Sequence, residues 1–308
     1  MRFVKYHGLG NDFIVLLPEP AAAAGLRLAT GLNGTLAKSL CARGFGIGAD
    51  GVMVLAPAND AANDCAMELV NSDGSLPEMC GNGIRCLVKF AVDEAGQSAP
   101  PLSSRARETG TLRVETPGGM RACSWTLGPD GRVASVRVAM GPARFGYPVV
   151  PLLPAHSPDA PASDSGPIAL EAGDRHFVGT PVNTGNPHFV TFGAWGDDRR
   201  RVALACGPTL ERHAAFPARA NIEFAELGRD GAIDVTVWER GCGLTWACGT
   251  GATATAAAAV HAGLAPFDRP IRVTLPGGEL TITIEKDFVQ TWMEGPATEV
   301  FRGDIALD

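Results

Sequence analysis

The apolar positions that follow Cys80 recur with the period of an α-helix. They are spaced at i, i+3, i+4, i+7 and i+8, as Ile84, Leu87, Val88, Ala91 and Val92. This spacing places Arg85 and Lys89 on the opposite face. It therefore predicts one amphipathic helix that begins just after the cysteine.

A second helix is predicted after Cys248, with a different surface. The run "GATATAAAAVHAG" carries small residues on every side, as expected of a helix closely surrounded by a sheet, and Gly263 is placed to end it. The charge-free stretch from Thr245 to Leu264 is dominated by Ala, Gly and Thr, which are too weakly hydrophobic for a membrane span. We therefore expect a buried helix and no membrane partner.

Three pairs of short motifs occur in the same order in the two halves of the chain. "GNDFIV" from Gly10 is matched by "GNPHFV" from Gly185, and "MCGNGIRC" from Met79 by "ACGTGATA" from Ala247. "VETPGGMR" is matched by "VTLPGGEL", in which Pro-Gly-Gly predicts a turn between two alternating strands. The shared order and similar spacing indicate an internal duplication, with two similar domains that face one another.

The domain boundaries follow from this duplication. A chain of 308 residues is long for one core, and two domains of about 150 residues are the usual solution. We predict one domain at 1–139 plus 296–308 and another at 140–295, with a seam near Val138 to Pro151. Surface loops are predicted at Pro154–Gly166, which is rich in Pro, Ala and Ser, and at Ala95–Gly110.

The charge balance is mildly acidic, with 26 Lys plus Arg against 33 Asp plus Glu and no dense basic run. This argues against a polyanion-binding surface, so we expect no nucleic acid partner. The amino-terminal "MRFVKYHGLGNDFIVLLPEP" lacks the apolar core and cleavage site of a signal peptide, which predicts a cytoplasmic protein. In that reducing compartment the eight cysteines are expected to be thiols.

Cys80 and Cys248 each stand directly before a predicted helix and are followed by Gly-Asn-Gly and Gly-Thr-Gly. Glycine lets a ligand approach the backbone, and the first helical turn offers N–H donors and the positive end of the dipole. A carboxylate suits such a site, and the same field is expected to lower the pKa of the thiol. If the two halves act on one ligand, two thiols flank one carbon from opposite sides, as stereoinversion requires. The pattern therefore predicts racemase or epimerase chemistry.

Motifs across nearly the whole chain closely resemble those of the diaminopimelate epimerases. They are "HGLGNDF" (His7–Phe13), "RGFGIGADG" (Arg43–Gly51), "NSDGSLPEMCGNGIRC" (Asn71–Cys86), "NTGNPHFV" (Asn183–Val190), "ANIEF" (Ala220–Phe224) and "ERGCGLTWACGTGA" (Glu239–Ala252). The resemblance implies an isomerase that interconverts LL- and meso-2,6-diaminopimelate on the bacterial route to lysine and peptidoglycan, without pyridoxal phosphate, another cofactor or a metal. It also implies an α/β (α+β) fold in which each domain is a mostly antiparallel curved sheet around a central helix, with the active site in the interdomain cleft.

The resemblance also implies roles for individual residues. Cys80 and Cys248 correspond to the two catalytic bases, and His188 and Glu239 are similar to residues that tune the protonation of the thiols. The backbone atoms implied to hold the reacting carboxylate are those of Gly81, Asn82, Gly249 and Thr250. The residues implied to surround the distal amino-acid end of the substrate are Asn11, Asn71, Asn186, Asn221 and Arg240, and Glu239 is also assigned to substrate binding because it can receive an ammonium group. Family members commonly dimerise through the amino-terminal domain, which implies a homodimer with Phe301 near the contact.

Several alternatives remain open. Cys80 with Cys86, and Cys242 with Cys248, form two pairs with five intervening residues each, so a structural zinc site is conceivable, although zinc ligands usually stand two to four residues apart. Proline racemase and hydroxyproline epimerase share the fold and the paired cysteines, but they tend to carry His where this chain has Asn82. Phenazine-type isomerases of similar architecture lack the cysteine pair.

Two features depart from the family pattern. Cys242 lies within a variable turn, and we assign it no role. The loops at 95–110 and 154–173 are longer than usual, which affects the domain edges rather than the chemistry.

Overall fold

The structure is a computed structural model that describes residues 1–23, 25–28, 31–77, 79–97, 99–100, 102–146, 150 and 166–306. The chain divides into two compact units. One is Met1–Val138 with Glu294–Asp308, and the other is Ala139–Met293. Apart from Gly166, the loop predicted at Pro154–Gly166 lies outside the described residues.

The described residues contain six α-helices and many more strands. The helices are α1 Pro18–Ala23, α2 Gly34–Cys41, α3 Gly81–Asp93, α4 Ser104–Thr109, α5 Arg199–Glu211 and α6 Gly249–His261, with 3₁₀ turns at Gly196–Asp198 and Lys286–Phe288. The first ten strands are β1 Arg2–Gly8, β2 Asn11–Leu16, β3 Arg27–Leu28, β4 Gly31–Leu32, β5 Gly51–Ala56, β6 Cys65–Asn71, β7 Thr111–Glu115, β8 Arg121–Leu127, β9 Val133–Gly141 and β10 Arg144–Phe145. The others are β11 Ile168–Ala172, β12 Arg175–Asn183, β13 Pro187–Phe192, β14 Asn221–Leu227, β15 Ile233–Glu239, β16 Gly243–Leu244, β17 Pro270–Leu275, β18 Gly278–Ile284, β19 Thr291–Gly295 and β20 Thr298–Asp304.

The two units repeat one pattern of strand pairing. In the first, β1 and β2 are antiparallel, β2 and β5 parallel, β5 and β6 antiparallel, β6 and β7 parallel, and β7 and β8 antiparallel. In the second, β12, β13, β14, β15, β17 and β18 pair in the same sequence of directions. Helix α3 follows β6, and α6 lies between β15 and β17, at matching places in the repeat. The predicted mixed α/β class and the internal duplication are therefore confirmed.

Helix α6 is buried because its side chains are small. It packs against β12 to β15, β17 and β18, and all its alanines are fully buried. The hydroxyls of Thr253 and Thr255 donate to carbonyls one turn back, both at 2.8 Å, so neither buried hydroxyl lacks a hydrogen bond. Gly263 ends the helix as predicted, with φ of 72° and a hydrogen bond from the Leu264 N–H to the Ala259 carbonyl. In the described part of the chain, no helix has the length and apolar character needed to cross a bilayer.

Helix α3 starts where the sequence predicts, but its polar face is buried. Arg85 is fully buried and Lys89 is 7% exposed. Lys89 pairs with Asp93 at 2.9 Å, and the Arg85 Nε donates to the Pro296 carbonyl at 3.2 Å. The carboxy-terminal segment therefore covers a face that periodicity alone assigns to solvent.

Both long loops predicted from the sequence contain regular structure. The segment Ala95–Gly110 includes α4, which Ser103 caps by accepting from the Ala106 N–H at 3.1 Å. The segment 154–173 includes β11, in which buried residues alternate with exposed ones. The sequence signals for these two elements were weak. Helix α4 has only a single capping serine, and β11 has only a five-residue alternation next to a stretch rich in Pro and Ser.

Replacing Ala256 by Leu in α6 is expected to destabilise the protein by about 1–3 kcal/mol or more, because a closely packed site has no room for three further carbons. Urea unfolding followed by circular dichroism measures this. The matched control is Ala205→Leu on the exposed face of α5, which is expected to change the free energy of unfolding by less than about 0.5 kcal/mol. Equal stabilities of the two variants would contradict the tight packing of α6.

Candidate active site

Cys80 and Cys248 have the same local structure in the two units. Each is the N-cap of its helix, with an extended backbone, and its sulfur accepts a hydrogen bond from the backbone N–H three residues on. The distances are 3.3 Å from Gly83 and 3.4 Å from Gly251. Each sulfur therefore lies at the positive end of a helix, beside first-turn N–H groups that have no acceptor within the helix.

Asn11 is placed by a tight hairpin. Residues Leu9 and Gly10 join β1 to β2, and both have positive φ, 58° and 87°. Two consecutive positive φ values are those of the type I′ turn, whose twist matches that of paired strands. Asn11 is the first residue after this turn, so its position is set by the hairpin register.

The amide groups beside Cys80 are oriented by two charged side chains. Asn11 Nδ2 donates to Asp50 Oδ2 at 2.7 Å, Asn82 Nδ2 donates to Asn11 Oδ1 at 3.1 Å, and Arg85 Nη2 donates to Asn82 Oδ1 at 3.2 Å. A carboxylate only accepts and a guanidinium only donates, so the two ends fix the direction of both amides. The Asn11 oxygen consequently faces the Cys80 sulfur at 4.0 Å.

Two further groups support this chain of hydrogen bonds. Arg43 Nη2 pairs with Asp50 at 2.9 Å and with Asp12 at 2.7 Å, which holds the Asp50 carboxylate in place. Arg85 Nη1 donates to the Gly81 carbonyl at 3.1 Å. Burial lowers the pKa of the Arg85 guanidinium, and the neighbouring Cys86 and Cys80 side chains partly offset that shift.

Asn71 lies at the end of β6, opposite Gly51 in register. Its Nδ2 donates to Ser75 Oγ at 3.0 Å. The Ser72 N–H donates to the Asp50 carbonyl at 2.8 Å, which joins this loop to the residue that orients Asn11. The structure thus brings Asn11, Asn71, Cys80 and Asn82 into one region of the first unit.

In the second unit, His188 connects Asn186 to a buried carboxyl group. His188 Nε2 lies 2.7 Å from Asn186 Oδ1, and Nδ1 lies 2.7 Å from Glu223 Oε1. Both His188 and Glu223 are completely buried. Burial raises the pKa of Glu223, although the His188 ring partly offsets that shift.

The end of β15 carries Glu239 and Arg240. Glu239 is half-buried and accepts from Thr245 Oγ1 at 2.6 Å. The Arg240 N–H donates to Asn221 Oδ1 at 2.8 Å, and Asn221 Nδ2 donates to the Pro187 carbonyl at 3.1 Å. Asn221 therefore ties three strands together and orients the backbone from which the exposed Arg240 side chain extends.

The pKa of the Cys248 thiol differs from the value expected from the sequence. Burial raises the pKa of its thiol well above the usual value, and the Glu239 carboxylate raises it further, whereas the Thr250 side chain and the Gly251 N–H lower it. The Gly251 N–H at the helix end lowers the thiol pKa, as expected, but the net shift is upward because desolvation and the Glu239 carboxylate outweigh the helix end. Thr250 Oγ1 lies 3.5 Å from the sulfur, and its carbonyl accepts from Thr184 at 3.3 Å.

Sequence reasoning missed three charged residues at these sites: Asp50, Arg85 and Glu223. Each stood within a motif already noted, but without an assigned role in the site. For Glu223, the signal available in the sequence was a single acid within the strand-like motif "ANIEF". Among the described residues, no group of three or more His, Cys, Asp and Glu side chains is arranged to hold a metal ion.

Comparison with known proteins gives one consistent result. A family model described as diaminopimelate epimerase matches residues 3–146 and 180–300. The chain belongs to the diaminopimelate epimerase family. The diaminopimelate epimerase of Desulforudis audaxviator is 41% identical over 312 residues, covering 98% of each chain. That of Synechococcus elongatus is 40% identical over 308 residues, covering 100% of this chain and 99% of its own.

Family membership confirms the prediction that the chain is an isomerase. A solved structure of a probable proline racemase from Agrobacterium radiobacter, with bound carbonate, is also similar, with a TM-score of 0.70 at 16% identity. It covers 100% of this chain and 93% of its own, and at that identity the likeness concerns the fold alone. The two segments matched by the family model coincide with the two repeats.

The cysteine caps lead to a stability prediction. Cys80→Ala is expected to lower the free energy of unfolding by about 1 kcal/mol, because it leaves the Gly83 N–H without its acceptor, whereas Cys80→Ser supplies a hydroxyl acceptor and is expected to cost less. Urea unfolding measures both. The exposed Cys242 provides the control, since Cys242→Ala is expected to change stability by less than about 0.5 kcal/mol. Identical losses for Cys80→Ala and Cys80→Ser would argue against the cap.

Proposed function

We propose that this chain interconverts LL- and meso-2,6-diaminopimelate by a two-base mechanism in which Cys80 and Cys248 act on opposite faces of one α-carbon. The observation that carries the proposal is the duplicated cap: each repeat presents one cysteine sulfur at the positive end of a buried helix. The names of the full-length relatives support the substrate.

The reaction consists of two proton transfers. One cysteine, as thiolate, removes the α-proton, and the other, as thiol, delivers a proton to the opposite face, which inverts the centre. The negative charge that develops spreads into the α-carboxylate. The backbone N–H groups of Gly81, Asn82, Gly249 and Thr250 stabilise that charge, because they are preorganised at the two helix starts.

The second amino-acid end of the substrate supplies the specificity. Diaminopimelate carries two carboxylates and two ammonium groups, so its distal end requires both donors and acceptors. The groups proposed for it are the amides of Asn11, Asn71, Asn186 and Asn221, the Glu239 carboxylate and the Arg240 guanidinium. Arg240 binds the distal carboxylate and Glu239 an ammonium group, while His188 and Glu239 also tune the protonation of the thiols.

The setting follows from this activity. The enzyme acts in the cytoplasm, in the biosynthesis of lysine and of peptidoglycan precursors, and needs no cofactor or metal. Its catalytic domains are 1–139 plus 296–308 and 140–295. A homodimer through the amino-terminal domain fits Phe301, which is 44% exposed although its ring packs edge-on against Phe3.

Cys80→Ala and Cys248→Ala are each expected to reduce kcat for epimerisation by on the order of 10³-fold or more, because each removes one of the two proton-transfer groups. A coupled assay of meso-diaminopimelate formation measures this. Cys→Ser variants keep the cap and are expected to retain partial reactions, such as elimination from a halogenated analogue. Cys242→Ala is the control with wild-type activity. Full turnover by either Ala variant would overturn the two-base mechanism.

The substrate class is tested by deuterium incorporation from D₂O at the α-carbon. Diaminopimelate is expected to incorporate deuterium and proline is not, because proline has no second carboxylate or ammonium group for the distal Asn and Arg side chains to bind. Nuclear magnetic resonance follows both amino acids under the same conditions. Faster exchange of proline would indicate a proline racemase instead.

A further inference from the structure

Glu223 is a buried acid to which the proposed mechanism gives no task. It lies on β14, where Ile222 and Phe224 face the apolar core of the second unit. Glu223 projects from the other side of the strand, toward the first turn of α6. A Cβ built on Gly251 would lie 3.0 Å from Glu223 Oε1 and 3.2 Å from the Cys248 sulfur, so the carboxyl group is a close neighbour of the thiol.

The hydrogen-bond partners of His188 determine how many protons this cluster holds. Asn186 Oδ1 only accepts, so the His188 Nε2 facing it carries a hydrogen. On the other side of the ring, His188 Nδ1 and Glu223 Oε1 lie 2.7 Å apart and need a hydrogen between them. Either an imidazolium donates to a carboxylate, or a carboxylic acid donates to a neutral ring. Both arrangements give the His188–Glu223 pair one shared proton and no net charge.

Burial favours that neutral state. His188 and Glu223 are both fully buried, and Glu223 Oε2 has no hydrogen-bond partner among the described residues. A net charge there would have to be desolvated, at a cost of several kcal/mol per ion. Besides burial, which raises the pKa of Glu223 most, His188 and the Phe189 N–H on β13 lower it and Glu239 on β15 raises it, while the Cys248 thiol caps α6. A second negative charge beside Glu239 would further disfavour the Cys248 thiolate.

We propose that His188 and Glu223 hold one proton between them as a net-neutral pair, and that Glu223 is a positioning residue. It keeps the His188 Nε2–H directed at Asn186, while the pair adds no net negative charge beside the Cys248 sulfur. This rests on the proposed function in one respect, namely that Cys248 must cycle between thiol and thiolate during turnover. The alternative is a neutral ring that donates through Nδ1 to a Glu223 carboxylate, with the Asn186 amide reversed, which gives the pair one net negative charge.

Glu223→Gln separates these two charge states. A Gln side chain can donate to His188 Nδ1 and keeps the pair neutral. The rate of iodoacetamide alkylation at Cys248, measured on its peptide by mass spectrometry at one pH below the thiol midpoint, is therefore expected to stay within about twofold of the unsubstituted protein. If the His188–Glu223 pair instead carries one net negative charge, removing that charge is expected to lower the thiol pKa by about one unit or more and raise the rate about tenfold. Such a rise would overturn the proposal.

Two further measurements test the positioning role. Nuclear magnetic resonance of ¹⁵N-labelled histidine is expected to show a hydrogen on His188 Nε2 in the unsubstituted protein and in Glu223→Gln. An unprotonated Nε2 in the unsubstituted protein would refute the pair. Glu223→Ala, which frees the ring, is expected to reduce kcat on the order of 10–100-fold, whereas Glu223→Gln restores it to within about threefold. Equal activity of all three proteins would also count against it.

The control is Glu226→Gln on the same strand, where the carboxylate is partly exposed and pairs with Arg199 at 3.4 Å. It is expected to leave alkylation, the His188 spectrum and kcat unchanged. Alkylation and resonance measurements need no substrate. They therefore test the pair even if the unsubstituted protein fails to epimerise diaminopimelate, a failure that would refute the proposed function alone.

Discussion

The site depends on one hydrogen bond that the chain makes twice, from a glycine N–H to the sulfur of the cysteine that caps the same helix. This bond fixes the cysteine backbone in an extended conformation and places the sulfur at the start of the helix. It also explains the Cys-Gly-X-Gly spacing, because a Cβ on Gly83 or Gly251 would stand 3.3 or 3.2 Å from that sulfur. A larger residue would separate the donor from its acceptor.

The same bond operates in two different electrostatic settings. Beside Cys80 the near neighbours are amides, whose directions are fixed by Asp50 at one end and Arg85 at the other. Beside Cys248 they are carboxyl groups and a fully buried helix of alanines. The duplication has thus preserved the geometry of the thiols while their surroundings diverged. Burial and the Glu239 carboxylate therefore raise the pKa of the Cys248 thiol even though its backbone setting matches that of Cys80.

Local signals in the sequence predicted much of this. Periodicity located α3, Gly263 located the end of α6, and the Pro-Gly-Gly motifs located two hairpins, because each of these features depends on nearby residues. Features that depend on distant residues were missed or misjudged. Arg85 and Lys89 occupy the predicted face of α3, but whether that face meets water is decided by a segment more than 200 residues away. The pKa of Cys248 depends on its burial and on the Glu239 carboxylate from another strand, and the pairing of His188 with Glu223 depends on a parallel strand register.

The hairpin that sets Asn11 has a consequence for transferring this chemistry to other proteins. Leu9 adopts a left-handed conformation that costs a non-glycine residue roughly 1–2 kcal/mol, and its side chain is 6% exposed. The turn is therefore held by the packing of Leu9 rather than by its own conformational preference. A designer who grafted the motif "HGLGND" onto another scaffold without the surrounding core would obtain a hairpin free to relax, and its asparagine would no longer be held in register.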